Sequence, residues 1–370
     1  MSLWVDKHRP RCLDQLRVHS KPARQLQKLL AGGDCPHLLF YGPSGAGKKT
    51  LCLATLRELF GPSVEKLRTE QKTWQIQLPS RKIEVELATV SSNYHLEVSP
   101  ADAGRRDVHV VQEIIKEMAK TRSSTSVFQQ QQQEQEQETS LVKTAKCAYK
   151  VLVINQVDKL SSHAQHALRR TLEKYSATCR VIFTCTNLSK VMGPVRSRCV
   201  CVRVKAPSTE EISELVSEVA GKERKEVPRG LANKIAASSE RSMRRALLML
   251  ETASLGKLDE SQELQLPDWE LFIKDVAQEI LREQTPKNLY LVRGKLYELL
   301  VNCVPADTIF CKLVHELLRK VDDTIKYDIV STAATFEHRM RLGTKPIFHL
   351  EAFVAKTMSI YKEWSISNFG

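Results

Sequence analysis

The 370-residue sequence predicts an α/β protein: a parallel sheet with helices on both faces, then a small helical domain and an all-helical C-terminal segment. Three observations carry this reading. The apolar run Leu38-Leu39-Phe40-Tyr41 leads into Gly42-Pro43-Ser44-Gly45-Ala46-Gly47-Lys48-Lys49-Thr50 and then into Leu51-Cys52-Leu53-Ala54. A buried strand, a glycine-rich turn and a helix in that order make a phosphate loop, because backbone N–H groups and the helix N-terminus converge on an anion. Further apolar runs at Val151–Ile154 and Val181–Thr184 alternate with a helical stripe, Val111, Ile114, Ile115 and Met118. Strands covered by helices in this alternation belong to a parallel sheet.

The elements follow in order. The α/β region is expected over residues 1–204. Within it, about 123–143, lies a polar insertion whose Gln/Glu tract (129–138) cannot bury apolar area and reads as disordered surface. Ala206-Pro207-Ser208 breaks the pattern and starts a helix, with Ser208 as its N-cap and Glu210 and Glu211 in the first turn. A small helical domain is expected over 205–262, and an all-helical domain over 263–370, where Leu289, Val292, Leu296 and Leu299 form one apolar face. That last segment reads equally as an oligomer contact or a self-contained bundle.

The phosphate loop keeps Gly42, Gly47 and Lys48 at their working spacing but lacks one part. The hydroxyl that follows the lysine and ligates Mg²⁺ is replaced by Lys49, and Thr50 arrives one residue late. The strand Val151–Ile154 ends in Asn155-Gln156-Val157-Asp158, where such sites place two carboxylates to hold the metal and polarise water. Asn155 and Gln156 are the corresponding amides. An amide oxygen ligates a hard cation weakly, and Gln cannot take a proton from water at neutral pH. Lys49, Asn155 and Gln156 thus remove one chemistry together: nucleotide binding is expected, Mg²⁺ is held poorly, and hydrolysis is lost. Autonomous turnover would need Thr50 and Asp158 to recover the metal. A purely structural scaffold would leave the intact Gly42, Gly47 and Lys48 without a purpose.

Composition narrows the partners. The net charge of +13 favours a polyanion such as nucleic acid. No apolar run is long enough to span a bilayer, and the charged first residues do not form a signal peptide, so no membrane partner is expected. The ten cysteines are scattered without Cys-x-x-Cys or a His cluster, which suits a reducing compartment and no structural metal.

Several phrases together resemble the small subunits of eukaryotic replication factor C, in the AAA+ sliding-clamp loader family. These are Trp4-Val5-Asp6-Lys7-His8-Arg9-Pro10, with His8 where the family has Tyr; Ala164-Gln165-His166-Ala167-Leu168-Arg169-Arg170-Thr171-Leu172-Glu173-Lys174-Tyr175; Ser197-Arg198-Cys199; His338-Arg339-Met340-Arg341-Leu342-Gly343; and Leu350-Glu351-Ala352-Phe353-Val354-Ala355-Lys356. The resemblance runs nearly the whole chain and matches the type whose own ATP site is degenerate. It implies an AAA+ module, a helical lid and a C-terminal collar, assembled with other replication factor C subunits into a nuclear hetero-pentamer. That assembly uses ATP to open a sliding clamp and place it on primer–template DNA in replication and repair. It also implies roles for residues. Trp4, Val5 and Pro10 close over the adenine of ATP or ADP. Pro43, Ser44, Gly45, Ala46 and Thr50 complete the loop around Gly42, Gly47, Lys48 and Lys49, and Arg244 reaches back from the lid. Arg198 becomes an arginine finger acting on a neighbour's nucleotide, a role worth roughly 10³–10⁵ in rate. Arg105, Arg106 and Lys190 face the DNA backbone. Thr186 stands where the family has Asn, with Asn187 one place late.

Overall fold

A computed structural model describes residues 2–32, 34–77, 82–118, 149–176, 178–256, 258–259 and 264–369; the Gln/Glu tract lies outside them. The chain divides into two units, Met1–Leu264 and Gln265–Gly370.

In the first unit the elements run α1 (Trp4–Lys7), α2 (Ser20–Leu30), β1 (Leu38–Tyr41), α3 (Lys48–Phe60), β2 (Arg68–Gln77), β3 (Lys82–Ser91) and β4 (His95–Val98). There follow α4 (107–118), β5 (Lys150–Ile154), α5 (Ser162–Lys174), β6 (Cys179–Cys185), α6 (Gly193–Arg196), β7 (Val200–Arg203), α7 (Thr209–Lys222), α8 (Arg229–Ser238) and α9 (Met243–Ala253). The strands form one sheet in the order β2-β3-β4-β5-β6-β1-β7. Its β4, β5, β6, β1 and β7 pair in parallel, as the sequence suggests. The ten-residue β2 and β3 add an antiparallel hairpin at one edge, which the sequence reading did not contain. Its polar alternation hides it: among the residues whose burial is described, Trp74, Val85, Leu87 and the polar Thr89 turn inward, the last three at period two.

Each central strand feeds both faces of the sheet. Leu38 and Phe40 join Val151, Val153 and Ile182 in the cluster under α2 and α3. Leu39 joins Leu152, Ile154 and Phe183 in the cluster under α4 and α5, where Val111, Ile114, Ile115 and Met118 are also buried. Continuous apolar strands are the signature of a sheet covered twice. Beyond the sheet, Ser208 caps α7 in a reciprocal box with Glu211, and Ser242 caps α9.

The second unit holds α10 (Asp268–Arg282), α11 (Pro286–Val301), α12 (Ala306–Lys320), α13 (Asp323–Leu342) and α14 (Pro346–Phe369). Val292, Leu296 and Leu299 of α11 are buried in its core, with Leu289 packed at the margin. Phe353 of α14 is fully enclosed and lies 4.8 Å, ring to ring, from Phe310 of α12. No helix among the described residues is long and apolar enough to cross a membrane.

Truncating Phe353 to Ala leaves a cavity that rigid helices cannot fill. It should destabilise this unit by about 3–5 kcal/mol in denaturant titrations, whereas Tyr290→Ala, at an exposed position of α11, should change stability by less than about 0.5 kcal/mol.

Candidate functional site

The phosphate loop joins β1 to α3. Gly47 precedes α3 in the left-handed region at φ 93°, and Gly45 lies there too, at φ 76°. A Cβ on Gly45 would stand 1.9 Å from Ser242 Oγ, and the Met243 N–H donates to the Gly45 carbonyl at 3.2 Å. The first turn of α9 therefore rests directly on the loop. Arg244, the next residue, is exposed into a cleft of about 960 Å³ that Val5, Pro10, Ser44, Gly45, Gly47, Lys48, Lys49, Thr50, Asn155 and Gln156 also line.

Lys48 folds back on its own loop, donating to the Gly42 carbonyl at 2.7 Å and the Pro43 carbonyl at 2.8 Å. Burial, with a smaller push from the Arg244 guanidinium, holds its amine below the usual lysine range against an upward pull from Asp158 and Cys185. A desolvated ammonium with only carbonyl partners, beside left-handed loop glycines, fits a polyphosphate. Ala46 is fully buried, and its carbonyl accepts a 2.7 Å hydrogen bond from His19 Nε2. His19 was missed in the sequence; it supports the loop from just before α2. Trp4 does not line the cleft. Its backbone N–H donates to Glu251 at 3.1 Å and Lys225 Nζ lies 5.6 Å from its ring, so it docks α1 on the lid helices. His8, in the place of the family's Tyr, pairs with Glu223 beyond α7 together with Lys7.

The metal end of the site is organised around a residue the sequence reading did not weigh. Glu97 of β4 is nearly buried, and its Oε1 lies 2.6 Å from Lys49 Nζ and 2.7 Å from Asn155 Nδ2. A carboxylate cannot donate, so Asn155 must turn its NH₂ toward Glu97. The Asn155 Oδ1 then accepts from Thr184 Oγ1 at 3.1 Å. One of the two lone pairs of the Asn155 side-chain oxygen is thereby engaged by Thr184. These residues do not fit a magnesium ion: an ammonium stands at the position of the metal-binding hydroxyl, paired with the nearby carboxylate. A carboxylate flanked by Leu96 and Val98 in a short strand was the signal that could have revealed Glu97. Gln156, at φ 53°, is exposed at the cleft. Thr186 also lines it, its hydroxyl and N–H both donating to Asp158.

The remaining predicted residues stand elsewhere. Arg198, half-buried after α6, donates through Nε to Glu173 of α5 at 2.8 Å and through NH1 to the Pro194 carbonyl at 2.8 Å. Arg106 is exposed just ahead of α4, whose first residue, Asp107, accepts from both the N–H and the hydroxyl of Ser161 at the start of α5. Arg105 precedes Arg106 in the same turn. Lys190 is exposed, with its carbonyl held by the buried Gln165 at 3.2 Å. Burial pushes the Cys179, Cys185 and Cys199 thiols up to about 12, which leaves them inert as nucleophiles. Among the described residues no cluster of His, Cys, Asp and Glu could hold a metal ion.

A parallel sheet bearing a phosphate loop, with a helical lid resting on that loop and a helical C-terminal unit, defines an AAA+ nucleotide-binding chain. Three family models match it in succession: "DNA polymerase III, delta subunit" over residues 18–208, "RCF1/5-like, AAA+ ATPase lid domain" over 214–255, and "Replication factor C subunit 3, C-terminal domain" over 269–365. Replication factor C subunit 5 of Oryza sativa subsp. japonica is 51% identical over 370 residues, and replication factor C subunit 3 of Arabidopsis thaliana is 50% identical over 370, each across the whole of both chains. Replication factor C subunit 3 of Homo sapiens is 47% identical over 366 residues, 98% of this chain and 97% of that one. The chain belongs to the replication factor C subunit 3/5 family of clamp-loader subunits.

Burial lowers the pKa of His19, His37 and His95 from the ordinary 6.5, with Arg180 adding to the effect at His37. His37 Nδ1 accepts from the Val181 N–H at 3.0 Å, a bond that a protonated ring cannot keep. A folded-state value below the unfolded one means that the unfolded chain binds protons first. Stability should therefore be full above about pH 6.5 and fall as pH drops through the window below it. Melting curves at pH 7.5 and 5.5 check this, and His37→Asn, which keeps an acceptor without titrating, should flatten the difference.

Proposed function

We propose that this chain is a nucleotide-binding, non-hydrolysing subunit of a nuclear replication factor C hetero-pentamer. That complex uses ATP to open the sliding clamp and load it on primer–template DNA for replication and repair. The observation that carries the reading is the pairing of Lys49 and Asn155 with Glu97: the positions that would hold a catalytic metal are occupied by a salt bridge and an amide hydrogen bond. The phosphate-binding parts remain. Lys48, the loop N–H groups and the N-terminus of α3 hold the phosphates of ATP or ADP, and Arg244 reaches them from the lid. When bound, the nucleotide supplies the negative charge that the loop and α9 share, and so ties lid to sheet.

The chain acts on chemistry elsewhere through Arg198. Its guanidinium is held by Glu173 and the Pro194 carbonyl on the surface of the first unit, oriented for a neighbour's γ-phosphate at a subunit boundary. Partner subunits are recruited through the C-terminal helices, where Tyr290, Leu291, Tyr297 and Val301 leave apolar area exposed on α11. Arg105, Arg106 and Lys190 supply positive charge beside the linked starts of α4 and α5, an arrangement suited to DNA phosphates and indifferent to sequence.

Two measurements test the reading. In pentamers that retain one hydrolysing neighbour, Arg198→Ala should lower turnover at that site by roughly 10³–10⁵ while assembly persists. Arg198→Lys should rescue poorly, because a point charge cannot reproduce the planar fork. Equal turnover with and without Arg198 would leave the chain a scaffold. Separately, Lys48→Ala should weaken nucleotide binding to this chain, read by equilibrium titration, while leaving the assembly's turnover nearly intact. Mg²⁺-dependent hydrolysis by the isolated wild-type chain would overturn the silent site.

A further inference from the structure

We infer that Lys49 is a built-in replacement for the divalent cation, so that this site binds its nucleoside phosphate without Mg²⁺. The inference rests on the nucleotide-binding reading above and deepens it. Two positions that would surround a magnesium ion meet at one oxygen. Lys49 stands where the ligating hydroxyl belongs, Asn155 where the first carboxylate belongs, and both engage Glu97 Oε1, at 2.6 Å and 2.7 Å.

The arrangement is consistent as a charge design. Glu97 is 7% exposed, and an unpaired carboxylate so placed would be costly. With Asp at 155 in place of Asn, two carboxylates would face each other and demand either a proton or a metal between them. Asn155 removes that demand by offering an N–H to Glu97, and Lys49 supplies the positive charge. Lys49 itself is not sequestered: its side chain remains 46% exposed at the mouth of the cleft, with Thr50 and Ser44 on the same lining. Pairing with Glu97 orders the long side chain there in advance, which lowers the entropy lost when an anion arrives. Mg²⁺ normally neutralises charge on the phosphate oxygens of a bound nucleotide. Here a tethered ammonium, one residue after Lys48, stands ready to do so, and chelators have nothing to remove.

The test is equilibrium binding of ADP to the full-length chain, in buffer with millimolar Mg²⁺ and in buffer with EDTA. Equal affinity within about twofold in the two buffers is expected, against the loss of about tenfold or more that a metal-bridged site would show. Lys49→Thr restores the hydroxyl and removes the ammonium. It should weaken ADP binding in EDTA by about tenfold, with Mg²⁺ recovering part of the loss. Circular dichroism reports whether that variant folds, and the wild-type comparison needs no variant. Wild-type binding that collapses in EDTA overturns the inference while leaving nucleotide binding standing. So does a folded Lys49→Thr variant that binds as tightly as wild type in EDTA. Absence of binding in both buffers overturns the nucleotide-binding reading itself, and this inference with it.

Discussion

The first unit depends on the close approach of two elements to one loop that carries no side chains where they touch it. A Cβ on Gly42 would stand 2.0 Å from the Val204 carbonyl, where the chain leaves β7, and one on Gly45 would meet Ser242. The strand edge and the lid helix can close on the phosphate loop only because both positions are bare. Everything the site does follows from that closure. It sets Arg244 opposite Lys48, places Thr50 and Lys49 at the cleft, and makes the loop a joint between sheet and lid. Ligand-borne charge at that joint acts on both sides at once.

The electrostatics of the site divide into two neighbouring problems with opposite solutions. Around Lys48 the structure leaves positive charge undercompensated: a partly buried ammonium donates only to carbonyl oxygens, and the pull of Asp158 is weaker than the opposing effect of burial. That imbalance is what an anion relieves. Around Lys49 the ammonium is ordered by Glu97 while its side chain stays open to the cleft, and Asn155 and Thr184 complete the hydrogen bonding without a metal. Two adjacent lysines on one helix turn thus have different work, because their side chains leave the helix in different directions and meet different partners. Removing catalytic groups alone would have left Glu97 buried and unpaired; the substitutions here keep the site satisfied.

A subunit built this way is suited to a role in an assembly. The first turn of α9 seats the lid on the phosphate loop, while Arg198 stays on the surface, steadied by Glu173 of α5. An ion pair that solvent reaches in this way contributes little stability, so releasing the guanidinium from Glu173 costs little. The lock between Asp107 and Ser161 holds the starts of α4 and α5 together.

The sequence by itself determined the phosphate loop, the central strands, the helical lid and C-terminal unit, and the absence of a hydroxyl and two carboxylates. Each of these is a local pattern: spacing within one loop, apolar runs within one strand, or periodicity along one helix. Clamp-loader phrases distributed along the chain carried the family. Only the tertiary structure decided what the lost groups were exchanged for. Lys49 and Glu97 lie on α3 and β4, elements that meet only once the sheet has its strand order, and no periodicity within either segment reports that meeting. The same holds for Trp4, whose motif suggested a base contact and whose position against Glu251 follows from the docking of α1 on α9. The antiparallel hairpin at the sheet edge was hidden because an edge strand exposed on one side can be almost wholly polar. Local sequence specifies which face of an element is apolar; which element it meets, and so which charge it finds there, is set by packing.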